Sequence, residues 1–217
     1  MKKPFVLILL LVGSLPGAVQ AETVDVGGVT LEIPAPDGYT SVSGQPAIFD
    51  VWKDNTHSSE ILLAGFMSIG DFDEWLEQRN FDYGSFNAFA KVDRALAAMP
   101  GNPTFLAAIA EKSSGQLREG LSPAFVEGDG GRRALNRDLS ADEVALVSVQ
   151  TDVRSFSYVV LSNSPAADYP VNAKARVLVR GRIIDLFIEG VYESNDDIAW
   201  IQRALAAWVD AVIAANE

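Results

Sequence analysis

"NAKARVLVRGRIIDLFIEGVYESNDDIAWIQRALAAWVDAVIAAN", residues 172–216, decides the architecture. Two β-rich runs, Asn172 to Arg180 and Arg182 to Tyr192, meet at Arg180-Gly181-Arg182. A connection that short makes them antiparallel, because a parallel crossover needs about a dozen residues or more. The period then changes. Ile198, Ile201, Leu205, Trp208 and Val212 recur at spacings of three and four, and Val209 and Ile213 widen the stripe to one broad apolar face. A helix with such a face must bury it, and the preceding sheet is the nearest apolar surface.

The junction between sheet and helix crowds Glu193, Asp196 and Asp197 around Ser194 and Asn195. Two readings compete. Ser194 can serve as N-cap with Asp197, three residues on, reaching back to the Ser194 amide, while Asp196 meets the positive end of the helix dipole. A calcium loop would instead need about six or more oxygens around a turn, and this segment runs straight into apolar helix. Capping accounts for every residue in the cluster.

Working back from this segment, "EVALVSVQT" (143–151) and "RSFSYVVLS" (154–162) add two more β-rich runs with short polar connections. Near the other end, "TVDVGGVTLEIPAPDGYTSV" (23–42) alternates apolar and polar residues across Gly27-Gly28, the pattern of a hairpin with one buried face, ended by Pro34, Pro36 and Asp37-Gly38. "EILLAGFMS" (60–68) is apolar on both alternating faces and reads as a strand covered on both sides. "DFDEWLEQRN" (71–80) spaces Phe72, Trp75 and Leu76 as a helix, and "YGSFNAFAKV" (83–92) returns as a strand. Asn102-Pro103 supplies an N-cap and a first-turn proline for a helix through Phe105, Leu106 and Ile109, which Gly115 is expected to end or weaken. Leu121 to Glu143, with glycine at 128, 130 and 131, reads as loop. Together these elements predict one α+β domain over 22–217: a largely antiparallel sheet covered by helices, with the C-terminal amphipathic helix packed on it.

The chain opens "MKKPFVLILLLVGSLPGAVQAETV", with two lysines, an apolar run from Phe5 to Val12, and small residues up to Ala21. This is the layout of a secretory signal peptide over 1–21, with cleavage expected after Ala21. The run is shorter than the roughly 20 apolar residues that span a bilayer, so no membrane insertion is expected after cleavage. The chain has no cysteine, which excludes disulfides, thiolate metal sites and a lipid-anchored cysteine. Without Lys2 and Lys3, 15 basic residues stand against 29 acidic ones, a charge of about −14. That sign disfavours nucleic acid and anionic membrane surfaces as partners. A double-lysine leader points to the bacterial periplasm, with full secretion as the alternative.

The order of a hairpin ending "IPAPDGYTSV", a central helix, a meander ending "VRGRIIDLFIEGVYES" and a terminal "DDIAWIQRALAAWVDAVIAAN" helix resembles that of exported bacterial proteins. More distantly, it is similar to the α/β/α sandwich of the photosystem extrinsic protein PsbP and of mycobacterial secreted lipoproteins. The resemblance implies a fold and carries no catalytic residue across.

Candidate chemistry is sparse. His57 in "DNTHSSE" is the single histidine, beside Ser58 and Ser59. A hydrolytic triad needs spatial roles that adjacency does not supply, and no Gly-x-Ser-x-Gly elbow occurs. One histidine without cysteine does not suit zinc or copper. "EGDGGRR" (127–133) lacks the following helix and the lysine of a phosphate loop. Trp75 and Trp208 fall on apolar faces and read as core. Trp200, about 100° of helical rotation from Ile201, sits at the edge of the stripe, where it either packs under a loop or walls a groove. It is the candidate binding residue.

No cofactor is expected. The favoured function is a non-catalytic exported binding or assembly protein, with a protein partner in the cell envelope. The alternatives are a hydrolase using His57 with a nearby serine and carboxylate, and a divalent-cation-dependent protein using acidic loops.

Overall fold

The computed structural model describes residues 21–77, 86–120, 144–162 and 170–217. Residues 1–20 of the stretch read as a signal peptide over 1–21, and the 121–143 loop reading with its Gly-rich run, lie outside the described residues.

Hairpin chemistry starts the described part of the chain. β1 (Ala21–Val26) and β2 (Val29–Pro34) pair antiparallel with Val26 opposite Val29, which leaves Gly27 and Gly28 as a two-residue turn. Both have positive φ, 58° and 80°, as a type I′ turn requires. A side chain at Gly27 would also collide with the Ala97 carbonyl oxygen. β3 (Tyr39–Ser41) follows Pro34 and Pro36, and α1 (Pro46–Asn55) begins at a first-turn proline.

β4 (Glu60–Ser68) is buried on both sides, as its composition predicts. Leu62 and Met67 meet Ile48 and Trp52 of α1, while Ala64 and Phe66 join the larger core on the other face. A register shift between Leu62 and Ala64 marks a bulge. α2 (Ile69–Leu76) is capped by the Ser68 hydroxyl, which accepts from the Asp71 amide at 3.1 Å. It starts before the stretch read as helix. Trp75 is half-buried rather than core, and Leu76 is 55 % exposed.

β5 (Asn87–Asp93) precedes α3 (Pro103–Gly120), where the Asn102 Oδ1 accepts from the Phe105 amide at 2.9 Å. The expected cap is present, but the helix continues through Gly115. β6 (Val144–Thr151), β7 (Ser155–Ser162), β8 (Pro170–Val179) and β9 (Arg182–Val191) form the expected antiparallel meander, and α4 (Asn195–Ala215) ends the fold. At the β8–β9 turn, Arg180 and Gly181 both take positive φ.

A seven-stranded sheet in the order β3-β4-β5-β9-β8-β7-β6, antiparallel throughout, forms the middle layer. On one face lie α4 and the β1–β2 hairpin. Ile198, Ile201, Leu205, Trp208, Val209 and Val212 of α4 are buried there against the small alternate residues of β8 and Ile184, Leu186 and Ile188 of β9. α1, α2 and α3 cover the other face, α3 over Leu178 and Ile183. The fold is therefore α+β, a mostly antiparallel sheet with four helices among the described residues. α4 is long and apolar enough to cross a membrane by length and composition, but its apolar stripe is turned to the sheet.

Candidate functional site

The α3 face of the sheet is less apolar than the α4 face, and the cause is the two-residue period. In β8, Val171, Ala173, Ala175 and Val177 face α4, which leaves Lys174 and Arg176 on the opposite side. In β9, Ile184, Leu186 and Ile188 face α4, which leaves Asp185 and Phe187 opposite.

Sheet register then assembles two parallel rows across four strands. In the first, Lys91 of β5 lies opposite Asp185 of β9, Asp185 opposite Arg176 of β8, and Arg176 opposite Phe156 of β7. In the second, Phe89 lies opposite Phe187, Phe187 opposite Lys174, and Lys174 opposite Tyr158. Cross-strand neighbours lie close enough for their side chains to interact directly.

Asp185 anchors the arrangement at 3 % exposure. Arg176 Nε donates to its Oδ1 at 2.8 Å and Nη2 to its Oδ2 at 3.3 Å, while Lys174 Nζ sits 3.0 Å from Oδ2. The fork fixes the guanidinium plane. Arg176 Nη1 has no hydrogen-bond partner among the described residues. Phe187 lies between two ammonium groups, with Lys174 Nζ 4.4 Å and Lys91 Nζ 4.8 Å from its ring centroid. Lys91 also pairs with Glu60 at 3.6 Å.

Electrostatics follows from this packing. Burial alone would lower the Arg176 pKa, but the hydrogen bond and charge of Asp185 outweigh it and raise the value. Burial first, and then the negative charge of Asp185, push the Tyr158 phenol up, with Arg176 opposing and Glu60 adding to the rise. Tyr158 is therefore protonated and able to donate at neutral pH.

Beside the rows, α3 and the sheet enclose a cleft of about 230 Å³. Leu117 of α3 and Phe156 of β7 give it apolar walls; Tyr158, Lys174 and Arg176 line its floor, and Ser113 and Gln116 its helical rim. None of these is acidic, in a chain whose acidic residues outnumber its basic ones by 29 to 17. A second cleft, about 200 Å³, lies across the sheet between α4 and β6–β7, with Asp152, Asp210 and several hydroxyls and no basic residue. There Gln202 Nε2 donates to Ser148 Oγ at 2.9 Å.

The residues singled out from sequence lie elsewhere. His57 is exposed, with Nδ1 2.8 Å from Ser59 Oγ, and among the described residues no carboxylate hydrogen-bonds its ring. Trp200 is half-buried in the α4 layer, edge-on to Phe86 at 5.7 Å and over Gly190. It lines neither cleft. The Glu193–Asp197 cluster forms the capping box: Ser194 Oγ accepts from the Asp196 amide at 3.2 Å, and Asp197 Oδ2 accepts from the Ser194 and Glu193 amides at 2.6 and 2.9 Å. Desolvation pushes the Asp197 carboxyl up, but these amides and the Ser194 hydroxyl hold it below its usual value.

Lys174, Arg176, Asp185 and Phe187 carried a signal that sequence reading passed over. "NAKARV" alternates polar residues with small apolar ones, and "IIDLF" places an acid inside an apolar run. Charges on one face of otherwise apolar strands mark a face that is not simple core.

No family model matches the chain, and no curated protein matches it. Among solved structures it is similar to the Saccharomyces cerevisiae Ran-binding protein Mog1p, with 11 % sequence identity over 91 % of this chain and 95 % of that one, and a TM-score of 0.39. That likeness is too loose to carry a function across.

Proposed function

We propose that the chain is a non-catalytic exported binding or assembly protein, and that it meets its partner in the cell envelope on the sheet face beneath α3. The observation that carries this reading is the Lys174–Asp185–Arg176 group, in which Asp185 is buried and the two cations are half-buried at the cleft. Burying a carboxylate with two half-buried cations is often no better for stability than apolar residues of the same volume, so a group of this kind has no need to be there for stability alone. The leader-like segment before Glu22 supports export, and the acidic surplus argues against nucleic acid. Likeness to the PsbP sandwich belongs to the same proposal, supported by the hairpin, the meander and the terminal helix on one sheet. Trp200 is a second proposed contact, at the rim of the α4 layer near Gly190.

The test uses the full chain made with its leader. The exported protein should begin at Glu22, and a photo-cross-linking amino acid at Gln116, on the cleft rim, should give a specific adduct in cells. The same group at Ala207, on the exposed side of α4, should not. A protein retaining Met1, or equal labelling from both positions, contradicts the proposal. The hydrolase alternative has one observation in its favour, the 2.8 Å contact between His57 and Ser59. A measured ester hydrolysis abolished by His57→Ala would promote it.

A further inference from the structure

We propose that the cleft between α3 and strands β7–β8 binds a monocarboxylate carried beside an apolar group about one ring in size. This rests on the binding reading above and names the chemistry that the site takes.

The charge follows from the side chains present. Lys174 and Arg176 line the cleft, and Asp185, buried behind them, neutralises one of the two cations. The charge of Asp93 reaches Arg176 without a hydrogen bond to it; counting the lining residues and Asp185, one positive charge remains, which a carboxylate matches. A doubly charged phosphate would exceed it and bring its second charge toward Asp185. The donors are also placed for a carboxylate. Asp185 occupies Nε and Nη2 of Arg176 and so leaves Nη1 without a partner among the described residues. Tyr158 adds a protonated phenol, and Gln116 an amide. Asp185 is thus a positioning residue, and Arg176 the group that meets the ligand.

The size and walls set the rest of the ligand. At about 230 Å³ the cleft is smaller than the roughly 300–1,000 Å³ of pockets for larger ligands, which limits it to about one ring. The half-buried Tyr158 ring offers an aromatic surface, backed by the buried Phe156 at a centroid distance of 5.9 Å and an inclination of 48°, and Leu117 lines the cleft from α3. Such a surface favours a flat apolar group over a sugar or polyol. The same chemistry can come from a free small acid or from the C-terminus of a protein chain ending in an aromatic residue.

Titration calorimetry of the mature protein separates these sources. The probes are phenylacetate, the acetylated tripeptide alanyl-alanyl-phenylalanine, and the amides of both. At least one acid should bind, with its amide weaker by about tenfold or more, the scale of a lost charge-assisted hydrogen bond. Comparable binding by both acids identifies a free small acid as ligand; a clear advantage for the tripeptide identifies a chain terminus. Ser113→Leu, which fills the rim from a position outside the Lys174–Asp185–Arg176 pairing, and Arg176→Gln should each abolish the preference for acid over amide. Ser113→Leu keeps the test valid if Arg176→Gln fails to fold. Equal binding of acids and amides, acid binding unchanged by Ser113→Leu, or no binding of either acid overturns the proposal. If the Gln116 cross-link still forms in that last case, only the ligand class falls and the binding face stands.

Discussion

Trp208 Nε1 donates to the Pro34 carbonyl oxygen at 2.7 Å, a buried bond between residues 174 positions apart. It ties the last helix to the end of β2, and the same indole meets Phe66 edge-to-face at 5.8 Å. Trp208 is 1 % exposed, whereas Trp200 is half-buried. Trp208→Ala should cost about 3 to 5 kcal/mol in denaturant unfolding, the range for a large buried aromatic. Trp200→Ala should cost distinctly less, and equal losses would contradict the burial assigned to α4.

The end of α4 is held by a second long-range bond set. Asn216 Oδ1 accepts from the Glu32 amide at 3.0 Å, and its Nδ2 donates to the Glu32 carbonyl at 2.7 Å and to Val212 at 2.8 Å. The side chain completes the backbone pairing of β2 as a neighbouring strand would. Asn216→Ala should destabilise by about 1 to 3 kcal/mol, the cost of stranding such groups. Amide exchange should rise at Glu32 before it rises in β8.

At the start of α4, Ser194→Ala should cost about 0.5 to 2 kcal/mol. Asp197 adds a pH dependence. Its folded pKa lies below the ordinary 3.8, so its stabilisation is present above that value and is lost as pH falls through the lower folded one. The stability gap between wild type and Asp197→Asn should therefore be largest near about pH 7 and close in acid. The cap reading also predicts that neither a chelator nor millimolar calcium moves the unfolding midpoint.

Asp185→Ala would leave Lys174 and Arg176, both half-buried, without their carboxylate. The cost should fall between the about 1 kcal/mol of an exposed pair and the about 3 to 5 kcal/mol of a fully buried one. A loss under about 1 kcal/mol, the scale of an exposed pair, would mean that water reaches the group freely.

Much of the architecture could be read in advance because its signals are local. The Gly27-Gly28 and Arg180-Gly181 turns announce hairpins, and the stripe from Ile198 to Val212 announces α4. α1 was missed because it buries only Ile48 and Trp52, one helical turn apart, which is too little pattern to separate from loop. The candidate site was missed for a different reason. Alternation in "NAKARV" shows that Lys174 and Arg176 share a face, but not that β9 sits between β5 and β8. Only that strand order brings Lys91, Asp185 and Arg176 into one row. The angle of Trp200 on α4 places it at the edge of the stripe, and nothing local indicates that Phe86 and Gly190 meet it.

The binding face is tested most directly by the Gln116 cross-link in the triple variant Lys174→Met, Arg176→Met, Asp185→Leu, read beside its unfolding midpoint. If the charged group serves binding, the variant should at least match wild type in stability, since apolar replacement of a shielded ion group is often neutral, and the cross-link should disappear. A variant that loses stability yet keeps the cross-link would show that the group is structural and that binding lies elsewhere.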